Sequence, residues 1–157
     1  MKDVINFFQI TDTIGTGGQP SVSQLYDIAQ NGYDVVINLA THNSENAIEN
    51  EGSIVASLGM TYIHIPVPFE APTPEHLRKF FGFMNGLSEE KVFVHCAVNA
   101  RVSAFVFKYL TMERKMQAEK ATTPLLAQWL PQMNLIWKNF LLSLIHISEP
   151  TRPTPLS

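Results

Sequence analysis

The feature that most constrains the fold is alternation: short apolar runs rich in β-branched residues recur between segments of helical periodicity. "DVVINLA" reads as a strand buried on both faces, the pattern of a parallel sheet covered by helices on either side. "INFFQIT", "MTYIHIPV" and "KVFVH" read as further strands. Between them, Val22, Leu25 and Ile28 mark one helix face, with Ser21 placed to cap it and Asn31-Gly32 to end it. Gly59 closes a short helix that follows the polar loop "THNSENAIENEGS". Thr73-Pro74 opens a helix on which Leu77, Phe80, Phe81, Met84 and Leu87 share a face. Val102, Phe105, Val106, Tyr109 and Leu110 mark another. Thr123-Pro124 starts a last helical region, broken or kinked at Pro131, with Trp129 and Trp137 expected on one side of it as core. The expected architecture is α/β, a single domain with a mostly parallel central sheet flanked by helices. In such sheets ligands bind beyond the carboxyl ends of the strands.

Composition narrows the function. The 157 residues suffice for one domain, and 45% hydrophobic with 16% charged residues describes a globular chain. A formal net charge of -3 gives no electrostatic reason to bind nucleic acid or an acidic membrane surface, so neither is expected as a partner. No apolar run approaches the roughly 18 residues of a spanning helix. The start, "MKDVINFFQITDTIG", carries Asp3 and Asp12 and lacks the apolar core of a signal peptide. A cytoplasmic protein is expected, and its single cysteine excludes an internal disulfide.

The end of the chain differs in character. Leu142–Arg152, "LSLIHISEPTR", resembles the read-through translation of a transposase-based sequencing adaptor. Residues 1–141 are therefore taken as the domain, and residues 142–157, His146 included, are set aside as one sets aside a fusion scar. The natural C-terminus is expected to lie beyond about residue 141.

The chemistry gathers in "KVFVHCAVNARVSAFVFKYL", residues 91–110: a strand, a loop opened by His95-Cys96 and closed by Arg101, then a helix. A loop between a strand and a helix N-terminus aims backbone N–H groups into one hollow that binds anions, and its dipoles favour a thiolate there. Arg101 adds a planar fork able to grip two oxygens of a phosphoryl group. Ser103, one turn into the helix, is placed to hydrogen-bond the sulfur. Asn99 sits where a left-handed backbone is needed, which Asn tolerates. The ordinary alternative for Cys96 is an inert buried thiol.

These residues resemble the active-site loop of the cysteine-dependent tyrosine and dual-specificity phosphatase superfamily: His-Cys, a short loop, Arg, then Ser or Thr. "GTGGQPSVSQLYDIAQNGYDVVINLA" and "MTYIHIPVPFEAPTPEHLRKFF" extend the resemblance over roughly residues 8–141. They are similar to a bacterial group related to the phosphatase portion of beta-lactamase-hydrolase-like proteins. The resemblance implies a dual-specificity-phosphatase-like fold and a phosphate monoester, on a small molecule or a phosphoprotein, hydrolysed through a cysteinyl-phosphate without a metal or cofactor. It makes Cys96 the nucleophile, Arg101 the clamp, Ser103 the sulfur's partner and His95 a group that fixes the loop. Cys96, Ala97, Val98, Asn99, Ala100 and Arg101 would surround the phosphate. A general acid is expected on an upstream loop, where "VPFEAPT" offers Glu70; Glu75 is a weaker candidate in a first helical turn.

His42, His64 and His76 show no metal-ligand spacing, and "GTGG" lacks the Lys-Ser/Thr of a nucleotide-binding loop, so it reads as a turn. One departure matters. The phosphatase loop has five residues between Cys and Arg, whereas this chain has four, "AVNA". The span Cys96–Arg101 also resembles the loop of rhodanese-type sulfurtransferases, where the cysteine carries a persulfide. Three activities stay open: a phosphatase with a tightened loop, an oxyanion-binding domain with little catalysis, and sulfur transfer through Cys96.

Overall fold

The computed structural model describes Met1 and residues 3–143. In chain order the elements are β1 (Phe8–Thr11), β2 (Ile14–Gly17), α1 (Val22–Gln30), β3 (Val35–Asn38), α2 (Glu51–Ser57), β4 (Thr61–His64), α3 (Pro74–Gly86), β5 (Val92–His95), α4 (Ala100–Met112), α5 (Pro124–Trp129) and α6 (Leu135–Leu142). Single 3-10 turns cover Ala118–Ala121 and Leu130–Gln132. The sheet order is β1-β2-β5-β3-β4. Only β1 runs antiparallel, against β2; the other pairs are parallel. This is the α/β architecture with a mostly parallel sheet that the apolar runs predict.

The central strands are apolar on both sides because both sides are covered. Val35, Ile37, Val92 and Val94 face α3, α4 and α6, while Val36 and Phe93 face α1 and α2 through Leu25, Ile28 and Val55. Local signals set the helix starts. Ser21 and Gln24 form a reciprocal capping box on α1, and Thr73 and His76 form one on α3, followed by Pro74 in its first turn.

Two expectations need correction. The segment "GTGG" is no turn: Ile14–Gly17 is the buried strand β2, paired with β5. Its glycines allow close approach, the other meaning of glycine in a strand. A Cβ on Gly15 would lie 2.3 Å from Tyr33 Oη, and one on Gly18, just past the strand, 2.6 Å from the Ala97 carbonyl oxygen. Trp129 and Trp137 do not share one helix either. Trp129 ends α5, Trp137 lies in α6, and their ring centroids meet 5.6 Å apart across the Pro131 turn. Of the segment set aside at the C-terminus, Leu142 ends α6 and Ser143 follows it, while residues 144–157, with His146, lie outside the described residues.

Register positions the site. In the three adjacent strands, Gly17 of β2, His95 of β5 and Asn38 of β3 stand side by side at the carboxyl end. The loops leaving these strands therefore converge.

The glycines give a paired test. Gly18→Ala should cost about 1–3 kcal/mol, because the new methyl meets a fixed carbonyl. Gly82→Ala, in α3 with nothing outside its own stretch of helix within 4 Å of the added Cβ, should stabilise by about 0.5–1 kcal/mol. Urea unfolding midpoints of the two variants should move in opposite directions.

Candidate active site

Between the end of β5 at His95 and the start of α4 at Ala100 lie only Cys96–Asn99. Asn99 caps α4 with a left-handed backbone, φ 81° and ψ 6°. Its side chain holds that turn: Nδ2 donates to the Asn6 carbonyl at 2.8 Å and to Thr16 Oγ1 at 3.2 Å.

The loop's carbonyls are pinned by outside donors. The Ala97 carbonyl accepts from the Gln19 amide at 3.0 Å and from Asn46 Nδ2 at 3.2 Å. The Val98 carbonyl accepts from Asn6 Nδ2 at 2.9 Å. Consecutive backbone amides from Ala97 to Val102, in contrast, donate to no acceptor among the described residues. A run of unpaired amides at a helix N-terminus is a nest for an anion.

Arg101 stands beside this nest, 7% exposed. Its Nη1 donates to the Val67 carbonyl at 2.9 Å, which fixes the guanidinium plane. Its Nε is the one buried side-chain polar atom without a hydrogen-bond partner among the described residues. The Phe69 ring lies 5.8 Å from Arg101 Cζ. That ring packs against Trp129 and Trp137, and the Phe69 carbonyl accepts from Trp137 Nε1 at 2.7 Å. The two helices that carry these tryptophans thereby tether the loop carrying Glu70.

A cleft of about 700 Å³ opens at Arg101, lined also by Glu70, Phe69, His42 and His76. Glu70 and Arg101 are thus brought to one cavity, and Glu70 is exposed there. Glu75 is not among the lining residues; it pairs with Arg78 on the exposed first turn of α3. His76 Nδ1 accepts the Thr73 amide at 3.1 Å. Partial burial and then the Lys79 charge hold the His76 pKa below its ordinary value, against an opposing pull from Glu75. Cys96 has no exposed surface and does not line the cleft.

Ser103 Oγ donates to Asn99 Oδ1 at 3.2 Å and lies 2.6 Å from Thr123 Oγ1; no hydrogen bond joins it to the Cys96 sulfur. His95 is buried, its Nδ1 3.1 Å from the Cys96 carbonyl oxygen and its Nε2 2.5 Å from Glu51 Oε2. The other Glu51 oxygen accepts from Gln19 Nε2 at 3.0 Å. His64 Nε2 contacts the Ala40 carbonyl at 2.7 Å, and no group of acidic, His or Cys side chains among the described residues could hold a metal ion. Glu51, Asn6 and Asn46 escape sequence reasoning, since the partner of each lies far along the chain, and Thr123, read only as a helix start, also meets Ser103.

Among curated proteins, no sequence match is found. Among solved structures, a protein from Shewanella putrefaciens CN-32, provisionally named a phosphatase (DUF442), shares 30% identity and a TM-score of 0.80 over 89% of this chain and 91% of its own. Tk-PTP in its active form superposes at TM-score 0.69 with 18% identity, covering 87% of this chain and 93% of that one. Kinase-associated phosphatase, with its catalytic-site cysteine substituted by serine, does so at 0.69 with 12% identity, covering 88% and 91%. The family model described as DSP-PTPase phosphatase fused to NAD+ kinase matches residues 9–135. By that match the chain belongs to this family, within the cysteine-dependent dual-specificity and tyrosine phosphatase superfamily.

Proposed function

We propose that the protein hydrolyses phosphate monoesters through a cysteinyl-phosphate on Cys96. The observation that carries this reading is the Arg101 guanidinium, held by Val67 through Nη1 while its buried Nε lacks a partner next to the unpaired amides of Ala97–Val102. A buried cation with an unmet donor is costly, and a bound oxyanion offsets that cost. Family membership supplies the chemical class.

In the first step the Cys96 thiolate attacks phosphorus. The S–P bond forms as the bond to the leaving oxygen breaks, and Glu70 gives that oxygen its proton. In the second step Glu70, now a carboxylate, takes a proton from water as the water oxygen attacks phosphorus. The S–P bond breaks and the thiolate returns. Arg101 and the loop amides hold the phosphoryl oxygens throughout, which is electrostatic stabilisation by preorganised donors. Ser103 acts through Asn99, whose left-handed turn its hydroxyl steadies. His95 holds the Cys96 carbonyl. The substrate is a phosphorylated small molecule or phosphoprotein, and the reaction uses no cofactor.

The burial of Cys96 favours a second reading, an oxyanion-binding domain with slow turnover. Four residues between Cys96 and Arg101 make a tighter cradle than five, and here the sulfur-bearing residue has no open surface. Inserting one glycine between Asn99 and Ala100 tests this, because glycine accepts whichever backbone angle a wider loop needs. The parent should hydrolyse aryl phosphates weakly, and the insertion should raise the rate and strengthen inhibition by vanadate. A parent that gains one sulfur mass from thiosulfate and hydrolyses no aryl phosphate would instead be a sulfurtransferase.

Two variants test the roles. Cys96→Ser should abolish turnover with the fold retained, since an alcohol is a far weaker nucleophile at neutral pH. Glu70→Gln should slow an alkyl phosphate about 10²–10⁴-fold and an activated aryl phosphate much less, because only the poor leaving group needs the proton. Equal slowing of both substrates would remove Glu70 from the acid role.

A further inference from the structure

His76 lines the cleft beside Arg101 and Glu70, and the two chemical steps above give it no part. It stands half-buried in the first turn of α3. Its Nδ1 accepts the Thr73 amide at 3.1 Å and lies 2.9 Å from Thr73 Oγ1, while its own amide donates to that hydroxyl at 3.2 Å. A ring nitrogen that accepts an amide carries no hydrogen, so the neutral imidazole holds its proton on Nε2. Adding a proton at Nδ1 would set one N–H against another and break the cap. Burial and then the Lys79 charge also resist a second proton, against the pull of Glu75. Glu70, Arg101 and His42 are the other titratable groups on the cleft. The result is a fixed N–H donor whose Nε2 meets no acceptor among the described residues.

We infer that His76 Nε2 donates to a hydroxyl oxygen on the alcohol part of the substrate, and that this substrate is a small polyol monophosphate. The inference rests on the phosphatase reading, in which Arg101 and the loop amides take the phosphoryl group and leave the cleft to the alcohol. The lining continues through Thr41, Asn43 and Ser44 of the segment between β3 and α2, two hydroxyls and an amide that both donate and accept. Hydroxyl groups, which also do both, match such a lining. A carboxylate or a second phosphate does not. Arg101 is the one arginine or lysine on the cleft among the described residues, and Glu70 shares the space. A site built to hydrogen-bond a hydroxyl disfavours the analogue that lacks it, because the site's own polar groups are then left unmatched.

His76→Asn isolates the contact. Asparagine Oδ1 takes the place of Nδ1 at the cap, and the side chain ends short of Nε2, so the helix start persists and the donor is lost. Binding is measured by calorimetry in the Cys96→Ser protein, where no ligand is consumed, with His76 intact or replaced. The probes are glycerol 3-phosphate, propyl phosphate, 3-phosphoglycerate and inorganic phosphate. With His76 intact, glycerol 3-phosphate should bind about fivefold tighter than propyl phosphate, the worth of one net hydrogen bond. His76→Asn should remove that preference and leave propyl phosphate and inorganic phosphate unchanged. ¹⁵N spectra at pH 7 should place the His76 proton on Nε2 alone, with a shift that moves on adding glycerol 3-phosphate and not on adding propyl phosphate. A proton on Nδ1, or an equal loss of every ligand in His76→Asn, would overturn the inference. Tighter binding of 3-phosphoglycerate than of glycerol 3-phosphate would overturn the polyol assignment in favour of a second anion. Inorganic phosphate separates the two levels of failure. A protein with His76 intact that binds no phosphate overturns the phosphatase reading and this inference with it; one that binds phosphate without preferring glycerol 3-phosphate overturns this inference alone.

Discussion

The outward pinning of two carbonyls, Ala97 and Val98, is the constraint on which the rest of the site depends. Their donors come from three separate segments: Gln19 after β2, Asn46 before α2 and Asn6 before β1. A peptide unit points its carbonyl and its amide in opposite directions. Holding the carbonyls out thus turns the amides inward, and the left-handed turn at Asn99 carries that orientation into the first turn of α4. Gly18 lets the Gln19 segment come close enough, since any side chain there would collide with the Ala97 carbonyl. The parallel register of β2, β5 and β3 brings these loops together at one edge.

The second consequence concerns charge. Arg101 is buried on α4 and fastened to the Val67 carbonyl, and the Phe69 ring near its guanidinium is itself fixed by α5 and α6. An arginine held this firmly, with Nε unmatched by protein, is preorganised for a planar array of oxygens rather than for a flexible surface contact. The cleft that opens there also holds Glu70, so the acid candidate and the clamp share one cavity although 31 positions separate them in the sequence. Cys96 sits apart from that opening, beneath a loop of four intervening residues, and this tension between a built cradle and a sealed sulfur sets the expectation of weak turnover.

The sequence was readable wherever a signal was local. β3 and β5 announce themselves by β-branched runs, α1 and α3 by their caps, and Asn99 by its place before a helix. The reading of "GTGG" as a turn failed because glycine has two uses, and nothing in the chain says that Tyr33 and Ala97 press against β2 and its exit. Glu51 stands in a stretch that the sequence shows only as a polar loop. Its partners stand 44 and 32 positions away, His95 and Gln19, so only the folded topology shows it as buried. The two tryptophans do pack in the core, and Pro131 does break the helix, as the sequence implies; only the shared helical side fails, because the rings meet across the proline turn.

The most direct test of this account is a crystal structure of the protein with tungstate, a stable tetrahedral stand-in for phosphate. The prediction is one anion within hydrogen-bond distance of Arg101 Nε and of amides between Ala97 and Val102, with the Cys96 sulfur directly behind it. Tungstate bound elsewhere, with Arg101 Nε still unpartnered and the loop amides unengaged, would contradict it.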